Sequence, residues 1–138
     1  MGAPRRVLLV EDNEDNRAIY ATLLRHVGYD VMEAVDGEEA LSAVATYVPD
    51  IVLLDISLPS IDGWQVAHVL KSMPATAKIP IVAVTAHAFD RDRAFAHQAG
   101  FAAFLAKPVE PRDVVKCVEQ IFGAAHAPRE RAAVSAIQ

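Results

Sequence analysis

Five short apolar runs, each followed by a helix-patterned stretch, are the strongest constraint on how this chain folds. The first, Val7-Leu8-Leu9-Val10, ends abruptly at Glu11-Asp12-Asn13. From Asn16 a helical pattern places Ile19, Leu23 and Val27 on one face, with Gly28 as its stop. Residues 29–34 make a second run. Asp36 with Gly37-Glu38-Glu39 then resembles a capping box, and Ala40, Leu41, Val44 and Val48 continue a helix stripe as far as Pro49-Asp50. The third run, Ile51-Val52-Leu53-Leu54, also ends in an acid, Asp55. Leu58-Pro59-Ser60-Ile61-Asp62-Gly63 reads as a loop, after which Val66, Val69, Leu70 and Met73 mark a third helix. Residues 79–84 form a fourth run ending at Thr85, and residues 89–99 a weakly patterned helix with Gly100 as its C-cap. The fifth run, 101–105, ends near Lys107-Pro108, and Pro111 opens a helix with Val114, Val118, Ile121 and Phe122 on one side.

Runs that are apolar throughout, rather than alternating, suit strands buried on both faces. That is the signature of a parallel sheet between two helical layers, hence an α/β fold. At 138 residues the chain fits one domain with one core. The 13 basic and 18 acidic residues give a net charge of −5 without Lys/Arg clustering, which speaks against a nucleic-acid partner. No apolar run reaches the length of a membrane span. The run after Arg5-Arg6 stops at Glu11, too early for a signal peptide, and the lone Cys117 suits a reducing compartment; a cytoplasmic location is expected. Residues 5–123 form the expected domain. Residues 124–138, Ala-rich with Arg129, Glu130 and Arg131, read as a tail or a short extra helix starting at Pro128.

In open parallel sheets, ligands bind outside the carboxyl ends of the strands. Here strand one ends in Glu11-Asp12, strand three in Asp55, strand four in Thr85 and strand five near Lys107. Carboxylates crowded together repel, so such a pocket favours a divalent cation, and hard oxygen ligands suit Mg2+. One ionised carboxylate can then attack phosphorus to give an aspartyl phosphate. Lys107, the Thr85 hydroxyl and backbone amides would stabilise the charge on the transferring group. This chemistry leaves open which acid attacks, although the central strand places Asp55 best.

Taken together, these pieces resemble a response-regulator receiver domain of two-component signalling, of the single-domain, chemotaxis-regulator-like type. The matching residues are Val10-Glu11-Asp12-Asn13, Leu53-Leu54-Asp55 with Leu58-Pro59 and Asp62-Gly63, Val84-Thr85-Ala86, and Lys107-Pro108. Asp55 follows Asp12 by 43 positions, Thr85 follows Asp55 by 30, and Lys107 follows Thr85 by 22. The resemblance implies a flavodoxin-like fold: five parallel strands in the order 2-1-3-4-5, with five helices on both faces. It implies that Asp55 is the phosphoacceptor, supplied by a sensor histidine kinase or a histidine phosphotransfer protein. Mg2+ would be held by Asp12, Asp55 and the Ser57 main-chain carbonyl, with Glu11 acting mainly through water. Lys107 would pair with Asp55 across a cis bond to Pro108, and Thr85 with Phe104 would form the switch. Phe104 stands where a Tyr is frequent, which removes a hydroxyl from the readout. Ser57 and His87 occupy positions that tune the lifetime of the phosphate. The output would be a phosphorylation-dependent partner bound to helix four, strand five and helix five, by a monomer or weak dimer.

Plainer readings exist for each residue. Glu11, Asp12 and Asn13 also suit a helix N-terminus. His26, His68, His87, His97 and His126 share no compact metal-ligand spacing, and Cys117 and Trp64 read as packing residues. A phosphatase of the haloacid-dehalogenase type would need a second Asp where Ser57 stands. A flavodoxin-like cofactor binder would need a glycine-bearing phosphate loop where the chain has Glu11-Asp12-Asn13-Glu14-Asp15. A relay intermediate, passing its phosphoryl group on to a histidine phosphotransfer protein, shares every motif with a terminal switch.

Overall fold

A computed structural model describes residues 4–57, 62–86 and 90–126, with side chains described except at 90–91 and 124–126. The elements alternate along the chain: β1 (Arg6–Val10), α1 (Glu14–His26), β2 (Asp30–Ala34), α2 (Gly37–Val44), β3 (Ile51–Asp55), α3 (Gly63–Ser72), β4 (Ile81–Thr85), α4 (Asp90–Gln98), β5 (Ala103–Ala106) and α5 (Pro111–His126). All four strand pairings are parallel and the order is β2-β1-β3-β4-β5, as the sequence pattern and the resemblance imply. Every residue of β3 and β4 is buried, which accounts for the continuous apolar runs.

The core has two layers, one on each face of the sheet. Leu8, Val10, Val52, Leu54, Ile81 and Ala83 point toward α2, α3 and α4, where Val66, Leu70 and Ala96 meet them. Val7, Leu9, Ile51, Leu53, Val82 and Val84 point the other way, toward Tyr20, Ala21 and Leu24 of α1 and Val114, Val118 and Phe122 of α5. The alternation follows from the two-residue period of a strand.

Local signals end the helices where expected. Gly28 and Gly100 adopt φ of +108° and +86°, conformations that favour a residue without Cβ. Asn13, Asp36 and Asp62 cap α1, α2 and α3, each accepting a hydrogen bond from the backbone N–H three residues on. Glu39 Oε1 in turn accepts from the Val35 N–H, one residue before the cap.

Two helical faces differ from the sequence expectation. In α1 the buried residues are Tyr20, Ala21 and Leu24, while Ile19 and Val27 are about half exposed, at 51% and 43%. The helix is therefore rotated by about one residue from the Ile19-Leu23-Val27 stripe. Val48 lies beyond the end of α2 and is exposed. Helix α5 runs three residues past Gly123, to His126; Pro128 and the residues after it fall outside the described residues. Among the described residues, no helix is long and apolar enough to cross a membrane.

Candidate functional site

The carboxyl ends of β1, β3, β4 and β5 converge, because a parallel sheet brings the same end of every strand to one edge. Glu11 leaves β1 with its N–H bonded to the Ala34 carbonyl at 3.0 Å, Ile56 leaves β3 with its N–H on the Val84 carbonyl at 3.1 Å, and the Lys107 N–H bonds the Thr85 carbonyl at 2.8 Å. The strand ends are thus tied to one another just beyond the ladder.

Glu11, Asp12 and Asp55 each offer a carboxylate oxygen within 4.8 Å of the others. Glu11 and Asp55 are buried, and Asp12 is exposed at the mouth. Lys107 Nζ bridges the two buried acids, at 2.9 Å from Asp55 Oδ2 and 3.0 Å from Glu11 Oε1. The Lys107–Pro108 peptide is cis. Asp55 Oδ1 accepts from the Ser57 N–H at 2.8 Å, and Glu11 Oε2 accepts from the Asn13 N–H at 3.1 Å. Both carboxylates are thereby clamped from two sides.

The electrostatics follow from this crowding. Burial pushes the Glu11 carboxyl above its ordinary range, and the charge of Asp55 adds to the effect against the pull of Lys107 and the Asn13 N–H. For Lys107, burial opposes the charge, yet hydrogen bonds and attraction from Asp55 and Glu11 outweigh it and raise its pKa. Tyr20, beneath the site, is raised by burial and then by the Glu11 charge.

The switch candidates also lie here. Thr85 is buried at the end of β4, and its Oγ1 is 3.2 Å from Ser57 Oγ. Phe104 is 2% exposed, turned into the layer of α3 and α4, with the Arg93 guanidinium 4.8 Å from its ring centroid. Ser57 is exposed at the mouth; Leu58, Pro59 and His87 fall outside the described residues.

The sequence reading left the roles of three supporting residues unstated. Gly63 is one, although Asp62-Gly63 belonged to the matched motif: a Cβ there would lie 2.3 Å from Ile56 Cα and 2.8 Å from the Asp55 carbonyl oxygen. Only a glycine lets α3 start this close to the loop after β3. The others are Arg17 of α1, which donates to the Glu11 carbonyl, and Glu33 of β2, which accepts from Arg17. Their signal is a long-range ion pair, which local patterns do not show.

The comparisons with known proteins agree with this geometry. The family model of the response regulator receiver domain matches residues 7–119. The polar-differentiation response regulator DivK of Brucella anthropi is 34% identical over 120 residues, which cover 87% of this chain and 98% of that protein. A crystal structure of a putative response regulator from Chloroflexus aurantiacus is 35% identical with a TM-score of 0.77, covering 87% of this chain and 98% of that one. The receiver domain of a sensor histidine kinase from Pseudomonas aeruginosa, with a magnesium ion coordinated in its active site cleft, is 32% identical with a TM-score of 0.78, covering 88% and 99%. With its fold, its acidic pocket and 113 consecutive positions matched, the chain belongs to the response regulator receiver family of two-component signalling.

Proposed function

We propose that this receiver takes a phosphoryl group onto Asp55 and uses it to switch a partner-binding surface. The observation that carries the reading is the Lys107 ammonium 2.9 Å from Asp55 Oδ2, beside the Glu11, Asp12 and Asp55 carboxylates. An Asp55 oxygen attacks the phosphorus of a phosphohistidine on a histidine kinase or phosphotransfer protein. The new O–P bond forms as the P–N bond breaks, and the donor imidazole leaves. Lys107 holds Asp55 in place and then faces the negative charge spread over the phosphoryl oxygens.

The oxygen donors fit Mg2+, which suits a carboxylate pair open to water and to phosphate oxygens. As the resemblance implies, Asp12 and Asp55 would hold it directly with the Ser57 carbonyl and Glu11 would act mainly through water, while Lys107 engages both buried carboxylates. When bound, the ion relieves carboxylate repulsion and neutralises charge on the phosphoryl group. The magnesium-bearing Pseudomonas relative supports this assignment.

Thr85 and Phe104 carry the message outward, from the Oγ1 beside Ser57 to the ring under Arg93 of α4. The output partner then reads the surface of α4, β5 and α5, and the phosphate acts to the extent that it favours one arrangement of that surface. Incubation with acetyl phosphate and Mg2+ is expected to add one phosphoryl mass to the wild type and none to Asp55→Asn. An Asp55→Asn protein labelled as fully as the wild type would refute the assignment.

A further inference from the structure

Asp12 is the exposed member of the acidic cluster, so its position rests on the backbone around it. The peptide linking Glu11 to Asp12 is held at its carbonyl by Arg17, whose Nη1 donates to the Glu11 oxygen at 2.9 Å. Arg17 is itself fixed: its Nε donates to Glu33 Oε1 at 3.2 Å, and only 15% of its side chain is exposed. Glu33 is held in turn by Arg25, at 3.0 Å from Oε2, and Arg25 donates to the Val31 carbonyl at 2.9 Å. One guanidinium therefore joins the turn after β1 to the side chain of β2.

From this geometry we infer that Arg17, oriented by Glu33, is a positioning residue for divalent-cation binding, because it fixes the Glu11–Asp12 peptide plane and with it the Asp12 carboxylate. The planar fork matters: two of its N–H groups serve two partners in different directions, which a lysine ammonium at the end of a flexible stem does not reproduce. The paired Glu33 carboxylate also offsets the guanidinium charge near a site meant for a cation. Groups that orient metal ligands in this way typically change affinity about 10- to 100-fold when removed.

The inference rests on the Mg2+ reading above, and the sign of the effect separates geometry from charge. If Arg17 acted only as a nearby positive charge, Arg17→Gln would tighten Mg2+ binding and Arg17→Lys would leave it unchanged. Positioning requires that both weaken it, by about 10-fold, with Glu33→Gln weakening it less. Calorimetric titration of each full-length variant with Mg2+ reads the Kd, and thermal unfolding without metal establishes that each is folded. Unchanged or tighter binding by folded Arg17→Gln overturns the inference. Should that variant not fold, unchanged binding by both Arg17→Lys and Glu33→Gln overturns it. A wild type that binds no Mg2+, while Asp55 still takes up phosphate, removes the metal reading and this inference with it. Wild-type binding with unaltered variants sinks the inference alone.

Discussion

Lys107 stands between two buried carboxylates, so its removal is not a neutral truncation. Lys107→Met would leave Glu11 and Asp55 facing each other, held only by the Asn13 and Ser57 N–H groups in the described contacts. Breaking a buried ion pair by deleting one partner typically costs about 3–5 kcal/mol. We expect a loss near the low end, about 3 kcal/mol, because the cleft mouth is open and Lys107 is partly exposed. Urea unfolding without metal measures it. Addition of Mg2+ in excess should restore part of the loss by supplying the missing positive charge. A variant as stable as the wild type without metal would show that the pair is worth little. At this scale the place of the site was legible: Glu11, Asp12, Asp55, Thr85 and Lys107 all stand at ends of apolar runs, and the parallel topology brings those ends to one edge. The hydrogen bond between Ser57 and Thr85 was not legible, because a sequence shows which strand ends meet but not which hydroxyls turn toward each other.

Elements were easiest to read where burial is two-sided and hardest where it is one-sided. The runs in β1, β3 and β4 needed only their composition, whereas α1 required a choice among faces. Counting large aliphatics favours Ile19, Leu23 and Val27, but the sheet takes up Tyr20, Ala21 and Leu24. Tyr20 shares a buried layer with Val84 and Val114 and donates its hydroxyl to the Val109 carbonyl at 3.4 Å, and Ala21 allows close approach; neither is a large aliphatic. A tyrosine also fastens the opposite edge of the sheet. Tyr47, after α2, donates from its hydroxyl to the Asp30 carbonyl at 2.7 Å, and burial, with the Asp30 charge next, pushes its pKa up to about 12. A phenol whose folded pKa is raised adds stability that is fully present below the unfolded value of about 10 and lost as pH climbs toward the folded value. Tyr47→Phe should therefore cost about 1 kcal/mol at pH 8, the usual worth of one hydrogen bond. That deficit should shrink or reverse by about pH 11.5, because only the tyrosine can ionise in the unfolded chain. Urea midpoints of both proteins at the two pH values measure this, and a constant difference would contradict it.

Across the whole molecule, the sheet separates two layers that meet the acidic site differently. Phe104 packs with Ala96, Phe101, Val66 and Leu70 in the layer of α2, α3 and α4, and the Arg93 guanidinium covers its ring from α4. Helices α1 and α5 share the other layer with Val7, Leu9, Leu53 and Val82. A movement of Thr85 toward a phosphoryl group on Asp55 would therefore reach α4 directly, through Phe104 and Arg93. Toward α5 the neighbouring contact is Val84 against Val114, on the face away from Phe104. Helix α4 is suited to respond: it is nine residues long, carries Asp90, Arg91, Asp92 and Arg93 in succession, and buries Ala96 where the other helices bury larger side chains. Beside the Trp64–Phe95 ring contact, Ala96 is the buried anchor of α4 among the described residues, and so small an anchor means a low cost of local opening. Hydrogen exchange followed by mass spectrometry, with and without beryllium fluoride and Mg2+ as a phosphoryl mimic, should thus report its largest change in α4 and the segment joining it to β4. Amides in α1 and the middle of α5 should change little. Equal changes in both layers would mean that the sheet transmits the signal as a rigid whole. A change confined to α1 and α5 would place the readout on the face opposite Phe104 and remove Arg93 from the path.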